Sequence, residues 1–173
     1  MPGQSGLTGM SVGFAGKHPG FGDFLGQGLE PPLRAALDRW LEGALAQAAA
    51  HIGEGWAQVW DASPGFAFWI GGQVLAESGG FALRGVLIPS RDKVGRRWPF
   101  VLVQAPGPCD PPVLAGEDGF AQVAFAAAHV ALAARPETPA GLLPLLADLP
   151  EGTGVAVPPT LWAANPTLPA AAL

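Results

Sequence analysis

Residues 83 to 104, LRGVLIPSRDKVGRRWPFVLVQ, set two apolar runs around a cationic loop. Leu83 to Ile88 and Trp98 to Val103 are rich in the aliphatic, aromatic and β-branched residues that fill buried or half-buried strands, while Pro89 and Gly95 break the pattern between them. A β-hairpin follows, and with it an antiparallel pair, because a parallel partner would need a crossover of its own. Arg91, Lys93, Arg96 and Arg97 concentrate positive charge in a chain of which only 13% is charged. Loops mounted on rigid strands commonly carry binding residues; a solvated loop that keeps a sticky hairpin soluble is the other reading. Asp92 can pair with Arg96, and Gly95 permits a tight turn, so the loop is expected to be ordered.

The 173 residues suffice for one domain, and 25 Gly with 19 Pro punctuate it heavily, which suits a loop-rich α+β domain better than a helix bundle. Residues 12–16 read as a first strand, followed by a glycine-dense loop, GKHPGFGDFLGQGLEPP. Apolar residues then recur at three- and four-residue steps from Leu33 through Leu37, Leu41 and Leu45 to Ile52. That spacing predicts a helix over 33–52, with Pro32 in its first turn, Arg34 and Asp38 paired, and Gly53 and Gly55 at its end. A further turn or two over 54–60 leads to a strand at 66–70. A second helix is predicted over 119–134 from Phe120, Val123, Ala124, Ala127, Val130, Ala131 and Ala134, and a third over 141–149, shortened or kinked by Pro144. The architecture expected is a single compact α+β domain: a mainly antiparallel sheet of 12–16, 66–70, 81–88 and 98–103, flanked by helices. Residues 1–11 and 165–173 are expected as tails around a domain at 12–164. Phe24, Trp40 and Trp98 are expected in the core.

Several function classes are disfavoured. A net charge of −5, with most positive charge in one segment, lacks the electrostatic footprint of a nucleic-acid binder. Cys109 has no second cysteine to pair with, and MPGQSGLTGMSVGF has neither the basic region nor the apolar core of a leader. The alanine-dominated stretch 120–134 is too short for a membrane span. A cytoplasmic protein without membrane insertion is expected. Ala15-Gly16-Lys17-His18 ends like a P-loop, yet Ser11 and His18 stand where glycine and a hydroxyl residue are required. Gly20-Phe21-Gly22 begins a dinucleotide fingerprint whose last glycine is Leu25. His18, His51 and His129 match no metal-ligand spacing, and no GxSxG occurs, so no metal, cofactor or nucleophile is expected. One enzymatic reading stays open, in which Asp23, Asp61 and Asp92 converge in space.

Gly13-Phe14-Ala15-Gly16-Lys17-His18-Pro19, continuing to Gly22-Asp23-Phe24-Leu25, resembles the GFxGKxPxxGDF signature of the TagF (ImpM) proteins associated with bacterial type VI secretion. After Trp40 and Trp56, the run from Gly85 to Phe100 is similar to that family's GVLxPSxDxVGRxxPF segment, in the same order and at comparable spacing. The resemblance covers roughly residues 12 to 104, with Thr160-Leu161-Trp162 similar to a late SLWW-like element whose second Trp is Ala163 here. It implies a cytoplasmic, non-catalytic accessory protein that restrains the secretion machine after translation by contact with type VI components, notably the forkhead-associated scaffold protein. The alternative is a structural subunit of a secretion assembly.

The partner-binding candidates are Lys17, Asp23, Arg91, Asp92, Lys93, Arg96 and Arg97. Gly16, Pro19, Gly22, Phe24, Trp40, Pro89, Gly95, Trp98 and Pro99 form the structural motif, with Gly16, Gly22 and Gly95 as sites of positive φ. Both motif loops are expected at one end of the sheet, and reversing the charges of Lys17 and Arg96 is expected to disturb partner contact while sparing the fold. A deep polar pocket holding Asp23, Asp92 and Lys17 would favour an enzyme, a broad apolar patch a permanent assembly, and a shallow charged surface a regulator.

Overall fold

The computed structural model describes residues 11–79, 82–105 and 119–150. Five strands, β1 (Ser11–Gly16), β2 (Leu25–Gln27), β3 (Phe66–Ile70), β4 (Leu83–Ile88) and β5 (Phe100–Ala105), form one sheet in the order β2-β1-β5-β4-β3. Every pairing is antiparallel. The expected hairpin is β4 with β5, registered from Arg84 opposite Gln104 to Ile88 opposite Phe100. β5 starts two residues later than the apolar run suggests, since Trp98 and Pro99 belong to the loop and a proline has no N–H to give a ladder. β2 lies inside the segment read as a glycine-dense loop; it is three residues long and pairs with Phe14 to Gly16, too short to impose a pattern on its sequence.

Helices cover both faces of the sheet. Phe14, Val86, Phe100 and Leu102 pack on one side against α3 (Phe120–Ala133) and a 3₁₀ helix at Pro139–Leu146. Leu83, Leu87, Val101, Val103 and Phe68 pack on the other side with Leu33, Leu37 and Leu41 of α1 (Pro31–Ile52). This double cover explains why β4 and β5 read as apolar runs without regular alternation: neither central strand has a wet face, and their polar residues, Arg84 and Gln104, are buried and bonded to each other. A 3₁₀ turn at Gly53–Gly55 leads α1 into the short α2 (Trp56–Ala62). Pro31 and Pro32 occupy the first turn of α1, Gly53 ends it with φ 67°, and Arg34 lies 3.8 Å from Asp38.

Four expectations are corrected. The buried stripe of α3 is Phe120, Ala124, Ala128 and Ala131, small residues that let the helix approach the sheet, whereas Val123 and Val130 are exposed. The third helix is 3₁₀ rather than α, because Pro144 removes a backbone donor from the middle of so short a segment. Phe24 is 51% exposed, since Leu25 takes the core position next to it. Trp40 and Trp98 are half-buried and pack against the margin of the core. The expected strand residue Phe81, the 160–162 element, Cys109 and the two tails lie outside the described residues.

Candidate functional site

The two motif loops meet at one end of the sheet, where β1 ends, β4 ends and β5 begins. Gly16 adopts φ 108°, and a Cβ there would stand 1.9 Å from the Pro99 carbonyl oxygen, so no other residue fits the bend. Beyond it the Lys17 N–H donates to that same oxygen at 3.1 Å. Lys17 and His18 then leave the strand toward different partners. Lys17 Nζ donates to Asp92 Oδ2 at 3.0 Å and Arg96 Nε to the same oxygen at 2.6 Å, while the amides of Val94 and Arg96 donate to Oδ1 at 3.0 and 2.9 Å. The Asp92 side chain has no exposed surface. Burial alone would raise its carboxyl, but Lys17 and Arg96, through side chain and amide, outweigh that and hold it well below the usual carboxylate range.

The loop around Asp92 is stapled to the first motif loop. Lys93 N–H donates to Phe21 O at 2.9 Å and Arg96 Nη2 to Gly22 O at 2.6 Å, and Gly95, with φ 87°, closes the turn through its amide on Asp92 O. The ordered loop and the Asp92–Arg96 pair expected from the sequence are both present. Gly22 does not have positive φ, so its small size serves no left-handed turn. His18, fully buried, accepts the Gly20 N–H on Nδ1 at 2.9 Å and faces Ala131 O with Nε2 at 2.9 Å, an arrangement that only the neutral Nε2–H tautomer satisfies. Burial pushes its imidazole down, the Ala131 carbonyl opposes this, and the charge of Arg135 adds to it.

Lys17 and Asp92 are thus interior, whereas Asp23, Arg91, Lys93, Arg96 and Arg97 lie at the surface. Reversal of Lys17 and Arg96 therefore attacks the fold itself, because both are donors to the same buried carboxylate. Pro19 is exposed, Pro89 half-buried and Pro99 buried. Phe24 lies over Lys17 Nζ, 4.8 Å from ring centroid to nitrogen, and meets Trp98 edge-on at 5.5 Å. Val94, 67% exposed, stands next to Lys93 at the tip of the loop. Ser90 Oγ and Trp98 Nε1 are buried beneath the loop without a hydrogen-bond partner among the described residues.

Asp61 of α2 is a residue whose place no spacing revealed. It binds Arg91 Nη2 and accepts from Arg97 Nε at 3.2 Å and Nη2 at 2.9 Å, joining residues 30 and 36 positions apart. The Arg97 fork, followed by Arg91, lowers its carboxyl to about 2. Asp92 and Asp61 are each held ionised by their own set of basic donors, the opposite of what a general acid requires, and Lys17 and Asp92 are spent on each other rather than lining a polar pocket. Among the described residues no three His, Cys, Asp or Glu side chains are grouped to hold a metal ion, and no helix is long and apolar enough to cross a membrane.

The profile of the TagF N-terminal domain, described as type VI secretion system-associated, matches residues 13–141. The chain belongs to the TagF family. The match takes in both motif loops, β1 from Gly13 onward, the other four strands and the three α-helices of the described structure, so the family association covers the stapled site as well as the sheet. The fold is also similar to the crystal structure of PA0076 from Pseudomonas aeruginosa PAO1, with a TM-score of 0.68 and 27% identity over 88% of this chain and 74% of that one. No curated protein is significantly similar to the chain.

Proposed function

We infer that this TagF-family chain is a non-catalytic, post-translational negative regulator of type VI secretion that acts from the cytoplasm by contact with the forkhead-associated scaffold protein. The observation that supports it most is the build of the 91–97 loop. A buried carboxylate anchors the loop from below and Arg91, Arg96 and Arg97 brace it against Asp61, Asp92 and the Gly22 carbonyl, while Lys93 and Val94 at the tip have no hydrogen bond or ion pair through their side chains among the described residues. Rigid presentation of exposed charge beside exposed apolar groups, here Val94 and Phe24, favours recognition because little side-chain and loop entropy is lost on binding. Asp23, Arg91, Arg96 and Arg97 surround the tip as further contact residues; Lys17 and Asp92 support them from within.

Overproduction of the chain is expected to suppress release of the secreted tube protein into the medium. The double variant Lys93→Glu, Val94→Asp is expected to relieve that suppression while its circular dichroism stays that of the parent. Secretion unchanged by overproduction overturns the regulatory reading; a folded double variant that represses like the parent removes the loop tip from it.

A further inference from the structure

The apolar stripe of α1 outruns the core it covers. Leu33, Ala36, Leu37 and Leu41 are buried, but Ala44 is exposed and Leu45 and Ala48 only half-buried, because a 22-residue helix is about 33 Å long and its last turns project beyond the buried face of the sheet. α2 folds back beneath this overhang, and Trp40, Leu45, Trp56, Val59, Phe66 and Pro89 are among the residues enclosing a groove of about 260 Å³. Among the described residues no charged side chain lines it. Val59 and Phe66 remain 47% and 50% exposed, so the groove is an open apolar surface rather than an internal void.

Charge is placed at one end of it. Trp60 lines the groove and the next residue, Asp61, gathers Arg91 and Arg97; Pro89 lines it two residues before Arg91. One carboxylate shared by two guanidiniums leaves a net positive charge, and the two arginine side chains remain 44% and 35% exposed. The opposite end, at the α1–α2 junction, carries the exposed Glu54 just before Trp56. The groove is therefore basic at the loop end and acidic at the junction.

We propose that this groove receives an acidic amphipathic segment of a partner protein, its apolar side chains between α1 and α2 and its carboxylates against Arg91 and Arg97. The site rests on the reading of the chain as a contact protein and gives it a second, apolar element beside the loop tip. The exposed Arg91 and Arg97 favour an acidic partner segment; a second copy of this chain, docked antiparallel with the basic end of one groove on the acidic junction of the other, is an outcome the test below separates. The partner mode is that of a helix laid in a groove, with apolar anchors supplying affinity and the charged end fixing direction.

The probe is a fluorescein-labelled synthetic peptide of about 14 residues, roughly four helical turns, with Leu and Phe at helical spacing and Asp and Glu elsewhere; its counterpart carries Lys and Arg at those polar positions. Anisotropy titrations with the full chain are expected to show saturable binding of the acidic peptide at least about tenfold tighter than that of the basic one. Val59→Glu is expected to weaken the acidic peptide by more than about tenfold, and Arg91→Gln with Arg97→Gln to erase the preference between peptides, both with parental circular dichroism. Absence of saturable binding, equal affinity for the two peptides, or binding indifferent to Val59→Glu overturns the proposal. So does a parental dimer in sedimentation that Val59→Glu dissociates, which would make the groove a self-interface. Peptide binding as expected alongside secretion that ignores overproduction upholds the groove and removes the regulatory reading; repression by Val59→Glu equal to the parent, with Lys93→Glu, Val94→Asp relieved, leaves regulation standing and discards the groove.

Discussion

Asp92 sits in the middle of an exposed, charged loop and yet is the most enclosed carboxylate of the site. Its two oxygens accept four hydrogen bonds, two from side-chain cations and two from amides of its own turn. Exposure on such a loop is decided atom by atom: Lys17 reaches it from 75 positions earlier, a contact no local pattern encodes. Lys17→Met removes one donor and leaves a buried carboxylate short of charge compensation, so the melting temperature is expected to fall by roughly 5 to 10 °C. Lys93→Met, at the exposed tip, is expected to change it by only about 1 °C. A loss for Lys17→Met as small as that for Lys93→Met would show that Lys17 has no structural role. The same contrast separates Arg84, which is buried with its Nε on Gln104 Oε1 at 2.7 Å and its guanidinium 4.0 Å from the Phe120 ring centroid, from the surface arginines of the loop.

α3 is joined to the first motif loop at its C-terminal end. Ala131 O accepts the Ala134 N–H at 3.1 Å and takes His18 Nε2 as a second donor at 2.9 Å, while Arg135 Nη1 donates to the carbonyls of Leu132, Ala133 and Ala134. The link has a defined pH dependence. Because the folded value of His18 lies below 6.5, the native state stays neutral while the unfolded chain takes up a proton, so this contribution to stability is full above pH 6.5 and is lost progressively as pH falls below it. The urea midpoint is expected to drop between pH 7.5 and 5.5 for the parent and to drop less for His18→Gln. Equal drops would assign the titration elsewhere. At this scale the helical spacing over 33–52 was decisive, since Pro31, Pro32 and Gly53 bound the segment at both ends. The 3₁₀ helix and the three-residue β2 were illegible because each is too short for periodicity to register.

The whole molecule is a sheet with two cores, one on each face. A sheet with one solvated face would tolerate truncation on that face; here both faces are covered, so neither is expected to. Leu102→Ala, facing α3, and Leu83→Ala, facing α1, are each expected to cost about 2–5 kcal/mol in urea denaturation, as fully buried leucines do. Near-neutrality of either would mean that one helical layer is not held against the sheet in solution. The double cover also brings α2 beside the hairpin loop, and through Asp61 it unites a helix, the loop and the groove at one end of the molecule.

The sequence by itself determined the antiparallel hairpin, the long helix, the α+β class and the two motif blocks that mark the TagF family, because each of these is written in residues close together along the chain. Turn chemistry at Gly95, helical spacing from Leu33 onward and the apolar content of β4 and β5 act over a few positions and survive any tertiary arrangement. Only the tertiary structure decided which charges are surface and which are interior. It buried Lys17 against Asp92, bared Phe24, placed Asp61 between Arg91 and Arg97, and left the end of the α1 stripe over a groove instead of a core. The physical reason is that burial and ion pairing depend on which distant segments arrive at the same place, and a short charged stretch such as 91–97 reads the same whether its aspartate faces water or a lysine.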